Sequence, residues 1–379
     1  MLLIAGCSNG VNTKSVEPLV YQGWEKAKIS NICLSDSIKY EEVDVPKFEQ
    51  PVREDLIYIL ELLNIRVSEE ENCDASMAID LALTPIAGYY DGLYRCYTGS
   101  SSSGTLQLTK EGFEPVSISL DRISDPPEEI PLGGCVNIDL APYRASWEVA
   151  MLIALRELWG NSVLELAAAS NHSNISGNSI RTTMSLFETN DLTEDEVLMV
   201  LSSAMQNENW RVKGHAIDAL EFIGTSSVVP ILMEGLVHEG NATQSDAIHA
   251  LGELGPMAAE AVPALLEIVL DEEQYMVHPD AIRLLGKIGP AARSALPDLL
   301  EILSDPYADL PVREAIVIVL PQLRPELGDA IPPLIAFLQQ ANEKNWKWTT
   351  GMISGTLISL TDEDFGTDAQ AWQDWWDSQ

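Results

Sequence analysis

One phrase recurs four times between Asn207 and Leu338, and it fixes what most of the chain can become. It reads Ala216-Ile217-Asp218-Ala219-Leu220-Glu221-Phe222-Ile223-Gly224, and then Ala247-Ile248-His249-Ala250-Leu251-Gly252-Glu253-Leu254-Gly255-Pro256. A third copy runs from Ala281 to Pro290 and a fourth from Ala315 to Leu323, so the leading alanines are 31, 34 and 34 residues apart. Each copy is followed by a second phrase, at Val229-Pro230, Val262-Pro263, Leu296-Pro297 and Ile331-Pro332, with prolines spaced by 33, 34 and 35. A fixed period in this range means a solenoid, in which each unit buries its apolar face against its neighbours.

A single unit can be read physically. Ala216, Ala219, Leu220 and Ile223 fall at i, i+3, i+4 and i+7, one stripe of an α-helix. Gly224, Gly255 and Gly289 stop that helix, because glycine enters the left-handed cap without steric cost. The recurring proline suits the first turn of a second helix, where its missing N–H is no loss. Each unit is therefore a helical hairpin, and small alanines let hairpins stack closely. With Val212-Lys213 before Ala216, Val312-Arg313 before Ala315 and the Leu-Gly-x-x-Gly-Pro turns, the tract resembles HEAT-like repeats, in particular the short variety first associated with phycobilisome lyases. That resemblance implies an α-solenoid and a surface for partners. It does not fix the partner, because a fold does not fix a function.

The expected fold class is α+β, with a C-terminal α-solenoid of HEAT-like hairpins preceded by a small antiparallel β-rich domain. Residues 8–50 read as linker and irregular chain, and 51–143 as the β-rich domain with one short helix over 53–63. Strand rhythm of period two appears in 78–83, 104–109 and 115–120, with turns at Gly88, Gly92, the Gly99–Gly104 serine run and Glu111-Gly112. From Trp147 the helical rhythm returns, so the solenoid is expected over 144–379. Trp147–Gly160 and the segment from Ser162 give its opening hairpin, 171–178 a degenerate turn, 179–188 a further first helix and 194–205 its partner. Trp372, Trp375 and Trp376 form a helix face that covers the last exposed apolar end, as terminal repeats require; this ending resembles the terminal signature of some bacterial HEAT-like arrays.

Charge narrows the partners. The 379-residue chain carries a net charge of −36, with acids scattered along its length, and such a surface repels phosphate backbones, so nucleic acid is not an expected ligand. Basic proteins or divalent cations are compatible with it, as is solubility alone. Met1 to Cys7 ends in Ile4-Ala5-Gly6-Cys7, which resembles the lipobox of bacterial lipoproteins. The resemblance implies a lipid anchor on Cys7 and an extracytoplasmic, membrane-anchored address. The stretch lacks a basic leader and is about half the apolar length of a signal peptide; a start codon placed too far downstream would account for that, and chance is the alternative. Four cysteines remain, Cys33, Cys73, Cys96 and Cys135, and their even number suits disulfides in an exported chain. Cys96 and Cys135 share the strand-rich segment and are the preferred pair, leaving Cys33 with Cys73; buried free thiols are the other possibility.

Candidate sites are few. Four residues beyond the repeat prolines stand Glu234, Glu267 and Glu301, then Ala336. With positions +2, +3 and +6 directed to the core, +4 lies on the opposite side of the helix. In a HEAT-like array second helices line the concave surface, so these glutamates would form an acidic stripe for a basic partner, or simply be solvated. Asp362, Asp364 and Asp368 alternate like calcium ligands, but Thr367 and Gln373 stand where such a loop needs glycine and glutamate; Asp368 serves better as an N-cap. His215, His238, His249 and His278 have no ligand spacing, and Asp218, His249 and Arg283 read as surface charge. The expected function is a non-catalytic lipoprotein scaffold for protein partners. Chromophore lyase or chaperone, implied by the repeat resemblance, and a cation-dependent sensor are the alternatives.

Overall fold

In the computed structural model, the described residues are 20–24, 27–40, 49–68, 73–90, 94–123, 141–237, 241–271 and 277–379. The chain divides into two compact units, 1–204 and 205–379.

The first unit holds a sheet of six strands, β1 (Asn31–Tyr40), β2 (Arg66–Ser68), β3 (Ala75–Tyr90), β4 (Tyr94–Thr109), β5 (Val116–Ser119) and β6 (Arg122–Ile123). Strand order is β2-β1-β3-β4-β5, with β6 also pairing with β4. The expected α+β layout is present, but the sheet is mixed, not purely antiparallel. β3–β4 and β4–β5 are antiparallel, while β1 runs parallel to both β2 and β3. Helix α1 (Glu49–Leu62) supplies the crossover between β1 and β2 that parallel neighbours need. Along β3, Ala75, Met77, Ile79 and Leu81 are buried and alternate with Ser76 and Asp80, which are exposed, the period of a half-buried strand.

Two further corrections concern the strands and the chain before them. The Gly99–Gly104 serine run is not a turn but the interior of β4, and Gly88, also expected in a turn, pairs with Cys96 inside β3. Gly104 sits at φ +149°, and a Cβ there would lie 1.9 Å from the Asp80 carbonyl oxygen, so only glycine fits this pairing with β3. Buried Ser102 donates its hydroxyl to the Leu120 carbonyl at 2.8 Å. The second correction is that part of 18–50 is ordered: β1 lies there, and Trp24 is buried against Phe113 with its indole N–H donating to the Glu114 carbonyl at 3.0 Å.

Helices α2 (Ala141–Trp159), α3 (Ser162–Ala168), α4 (Ser173–Glu188) and α5 (Glu194–Met205) complete the first unit, ending one residue past its boundary. Helix α2 packs on β4, α3 and α4, so these helices group with the sheet. Residues 173–178, expected in a turn, are the first turns of α4. His172 caps it through Nδ1, and Ser176, Ser179, Thr182 and Thr183 are buried with their hydroxyls bonded to backbone carbonyls. Helix α5 opens on a reciprocal cap: Glu196 accepts from the Thr193 amide at 2.8 Å and returns its own amide to the Thr193 hydroxyl. The Thr193 amide, and next its hydroxyl, donate to the Glu196 carboxylate and hold it below its ordinary pKa.

The second unit is the repeat tract. First helices α6 (Trp210–Ile223), α8 (Asn241–Leu254), α10 (His278–Ile288) and α12 (Leu310–Leu323) alternate with second helices α7 (Val229–Leu236), α9 (Val262–Leu270), α11 (Leu296–Ser304) and α13 (Leu327–Glu343). First helices pack in sequence, α6 on α8, α8 on α10 and α10 on α12. Gly224, Gly255 and Gly289 all have positive φ, and Arg324 takes the same role at φ +52°. Pro230, Pro263 and Pro297 occupy the first turns of their helices, whereas Pro332 falls inside α13, which starts earlier, at Leu327. Helices α14 (Lys347–Thr361) and α15 (Ala369–Trp376) end the chain. Trp372 is fully buried, stacks edge-on against Phe365 at 5.0 Å and donates to the Gly366 carbonyl at 2.9 Å, while α15 packs on α13.

Candidate interaction surface

The second helices bury one side and leave the other to solvent. Leu232, Leu265 and Leu299 at position +2, and Leu236, Val269 and Leu303 at +6, are buried. At +4, Glu267 and Glu301 are exposed, and Glu234 is half-buried. The Glu234 carboxylate accepts from the Gln206 side-chain amide at 2.6 Å. In the fourth repeat Ala336 occupies that place and is exposed, so the charge is replaced there while the geometry persists.

Beside Glu301 the second-helix layer opens into a cleft of about 580 Å³ between α11 and the start of α13. Pro297 and Leu300 line it from α11, and Pro332 and Pro333 from α13. Glu301, Glu326 and Asp329 stand around this apolar strip. The cleft exists because the chain enters α13 differently from its predecessors. Second helices α9 and α11 are reached through 3-10 turns at Gly255–Ala261 and Gly289–Ala295. Before α13 the chain passes the left-handed Arg324 and extended Glu326, and α13 then begins at Leu327. Arg293 pairs with Glu326; Glu301 and Asp329 have no ion-pair partner among the described residues.

A recurring contact behind this surface was not legible from the repeat phrase. Gln244 donates to the Leu236 carbonyl at 2.9 Å, His278 Nε2 lies 2.8 Å from the Asp271 carbonyl, and Arg313 Nε donates to the Leu303 carbonyl at 3.1 Å. In each case a buried side chain from the start of a first helix meets the end of the preceding second helix, where carbonyls lack helical partners. Arg313 adds a bond to Gln340 at 2.5 Å and stacks 3.7 Å over the Phe337 ring. Burial pulls its guanidinium below the ordinary value, partly offset by the Asp305 charge. Counted from Gln244 and His278, Ala247 and Ala281 stand three places on, and the same count from Arg313 reaches Ile316, not Ala315. The fourth copy is thus offset by one.

Neighbouring repeats are also joined at the surface. Lys287 bonds Glu253 at 2.8 Å, and that bond holds the Glu253 carboxyl below its usual range. Asp218, His249 and Arg283 are all exposed, with Arg283 paired to Asp280 at 2.6 Å.

The other sequence candidates fall in separate places. Cys33 and Cys73 form a disulfide with Cα atoms 5.5 Å apart. Cys135 and the Cys96 side chain lie outside the described residues, as do Cys7 and His238. Asp368 caps α15 by accepting from the Gln370 and Ala371 amides, Asp364 accepts from the Gly366 amide, and Asp362 is the left-handed residue ending α14. Of these carboxylates Asp368 starts a helix and Asp364 holds a turn, and among the described residues no group of three or more acidic, histidine or cysteine side chains is placed to hold a metal. No described helix is long and apolar enough to cross a membrane.

No curated protein sequence matches the chain. Among solved structures it is similar to the crystal structure of an engineered protein from the Northeast Structural Genomics Consortium, at 16% identity, over 60% of this chain and 94% of that one, with a TM-score of 0.29; a likeness so low carries no argument. Residues 198–278 match the family model described as HEAT repeats. With its alternating first and second helices at a period near 34 residues, the helical tract is HEAT-like.

Proposed function

We propose that this chain is an extracytoplasmic lipoprotein whose repeat tract is a non-catalytic scaffold for a basic protein partner. The observation that carries the scaffold reading is the second-helix layer. Its +2 and +6 positions are spent on the core and its +3 residues Met233, Leu266 and Leu300 are half-buried, while Glu267 and Glu301 are left to solvent at matching positions of consecutive repeats, with Glu234 partly so. Carboxylates in that arrangement attract a cationic surface and reject a like-charged one, which gives selectivity more than raw affinity. The net charge of −36 adds long-range steering of a basic partner. Support for the address is the lipobox-like sequence at Cys7 and the cysteines beyond it.

Two measurements test the reading. Affinity capture from native membranes with the wild-type chain and with Glu234→Lys/Glu267→Lys/Glu301→Lys should recover a basic protein with the first and lose it with the second. Equal recovery would remove the acidic face from the mechanism. Mass analysis of the native protein should find Cys7 as a lipid-modified N-terminus; an unmodified N-terminal methionine would end the lipoprotein reading.

A further inference from the structure

The cleft between α11 and α13 narrows the partner to a type of segment, and this step rests on the scaffold reading above. Pro297, Leu300, Pro332 and Pro333 give it an apolar strip, while Glu301 and Asp329 stand beside that strip exposed and without ion-pair partners among the described residues. Glu326, the remaining carboxylate, is engaged by Arg293. Two unneutralised acids beside an apolar strip match a side chain with a hydrocarbon stem and a cationic head, which is the anatomy of lysine and arginine. The strip also has room for an uncharged neighbour of that side chain. Helix α11 has nine residues, which makes it ~13 Å long, a span that about four residues of extended chain cover. A metal ion does not suit the cleft, since no trio of ligating side chains converges among the described residues. Nucleic acid would meet like charge.

We infer that the α11–α13 cleft binds an extended peptide segment in which lysine or arginine alternates with apolar residues. Glu301 and Asp329 take the cations, and Leu300 with the prolines takes the apolar side chains. Specificity on this scheme comes from the alternation and not from charge alone.

The full chain is titrated by fluorescence anisotropy, in about 0.15 M salt, with three labelled pentapeptides: Leu-Lys-Leu-Lys-Leu, Leu-Glu-Leu-Glu-Leu and pentalysine. The first should bind at least tenfold more tightly than either of the others. Glu301→Lys/Asp329→Lys should weaken it at least tenfold and Glu301→Gln/Asp329→Gln by less, each variant first shown by circular dichroism to keep its helix content. Glu363→Lys, an exposed charge outside both the cleft and the acidic face, should change binding less than twofold. Absence of binding, equal binding of pentalysine, or indifference to both cleft variants overturns the inference. If Glu234→Lys/Glu267→Lys abolishes binding and the cleft variants do not, the cleft is wrong while the acidic face stands. If the peptide fails to bind and capture of the membrane partner also ignores the triple reversal, both fall.

Discussion

Contacts in the first unit close long stretches of chain, whereas those in the second seldom reach beyond the next repeat. In the first, β1 pairs with β3 from Ile32 to Ala75, Trp24 bonds to Glu114 and Cys33 is joined to Cys73. In the second, Lys287 reaches back to Glu253, Arg293 forward to Glu326 and Thr349 back to Glu314, each across about one period. Long closures must be formed before any of them is rewarded, so the first unit should lose order as a whole. A linear array sums nearest-neighbour interfaces, so damage in the second should stay local. The proposed partner surface lies on the part of the molecule that tolerates local change best.

The largest expected effect breaks the comparison on the first unit. Its disulfide spans 40 residues of sequence, a loop whose closure is worth about 4 kcal/mol in the chain-entropy account. Cys33→Ser/Cys73→Ser should raise hydrogen exchange throughout β1–β5 and leave peptides from 205–379 unchanged. Exchange that rises equally in both units would mean that they are not independent. Next comes Arg313→Met, which removes two charge-assisted bonds and a ring contact from a buried site and should cost about 2–4 kcal/mol. Here protection should fall in α11–α13, with β3 and β4 unaffected.

A smaller pair of variants sharpens how closely first helices stack. A Cβ on Gly286 would come within 2.6 Å of Val319 Cγ1, so Gly286→Ala should destabilise by about 1–3 kcal/mol through overpacking. At Gly252 the added atom meets only the flexible Lys287 side chain, at 3.2 Å. Gly252→Ala should be neutral or stabilising by up to about 1 kcal/mol, because alanine favours helix. Thermal melts of both variants decide it, and the same sign for both would contradict the stacking described.

The smallest effect is a pH dependence confined to the first unit. Asp74 accepts from the Ser30 hydroxyl and the Ser30 and Asn31 amides, and those bonds lower its pKa, with Lys110 nearby adding to the shift. Since the folded value is depressed, its contribution is present above the ordinary carboxylate pKa of about 4 and fades as pH falls through the folded value. Denaturant midpoints for wild type and Asp74→Asn should differ at pH 7 and converge as the pH falls through the folded value of the Asp74 carboxyl. A gap that stays constant with pH would show that the carboxylate charge is not involved.

How much could be read beforehand follows the same division. Repetition made the second unit legible: Gly224, Gly255 and Gly289 stop helices where the phrase says they should, and the +4 glutamates are on the outward side of theirs. The fourth copy was misaligned because Ala315 mimics the leading alanine while Ile316 occupies its place. The clasp formed by Gln244, His278 and Arg313 stayed hidden because three chemically different side chains do one job. In the first unit the signals were weaker. β1 alternates Ile32, Leu34, Ile38 and Tyr40, but Asp36 and the surrounding serines mask the rhythm. The start of α4 and the serines of β4 read as loops by composition, since short polar side chains favour turns until their hydroxyls find backbone partners. The cleft beside Glu301 depends on where α13 begins, and Pro332, sited like the earlier repeat prolines, pointed to a later start.

The packing of Trp372 also bears on assembly. A stack of hairpins of one period is a template, because its last hairpin offers the surface on which another would sit, as an edge strand does in a sheet. Helix α15 takes part of that place on α13, with Trp372 sunk to zero exposure and Asn342 of α13 bonded to the Thr367 carbonyl. At this end, therefore, a second copy cannot extend the array without first displacing a helix. Trp372 and the helix it anchors thus act as a stop against head-to-tail growth of the second-helix layer at this end.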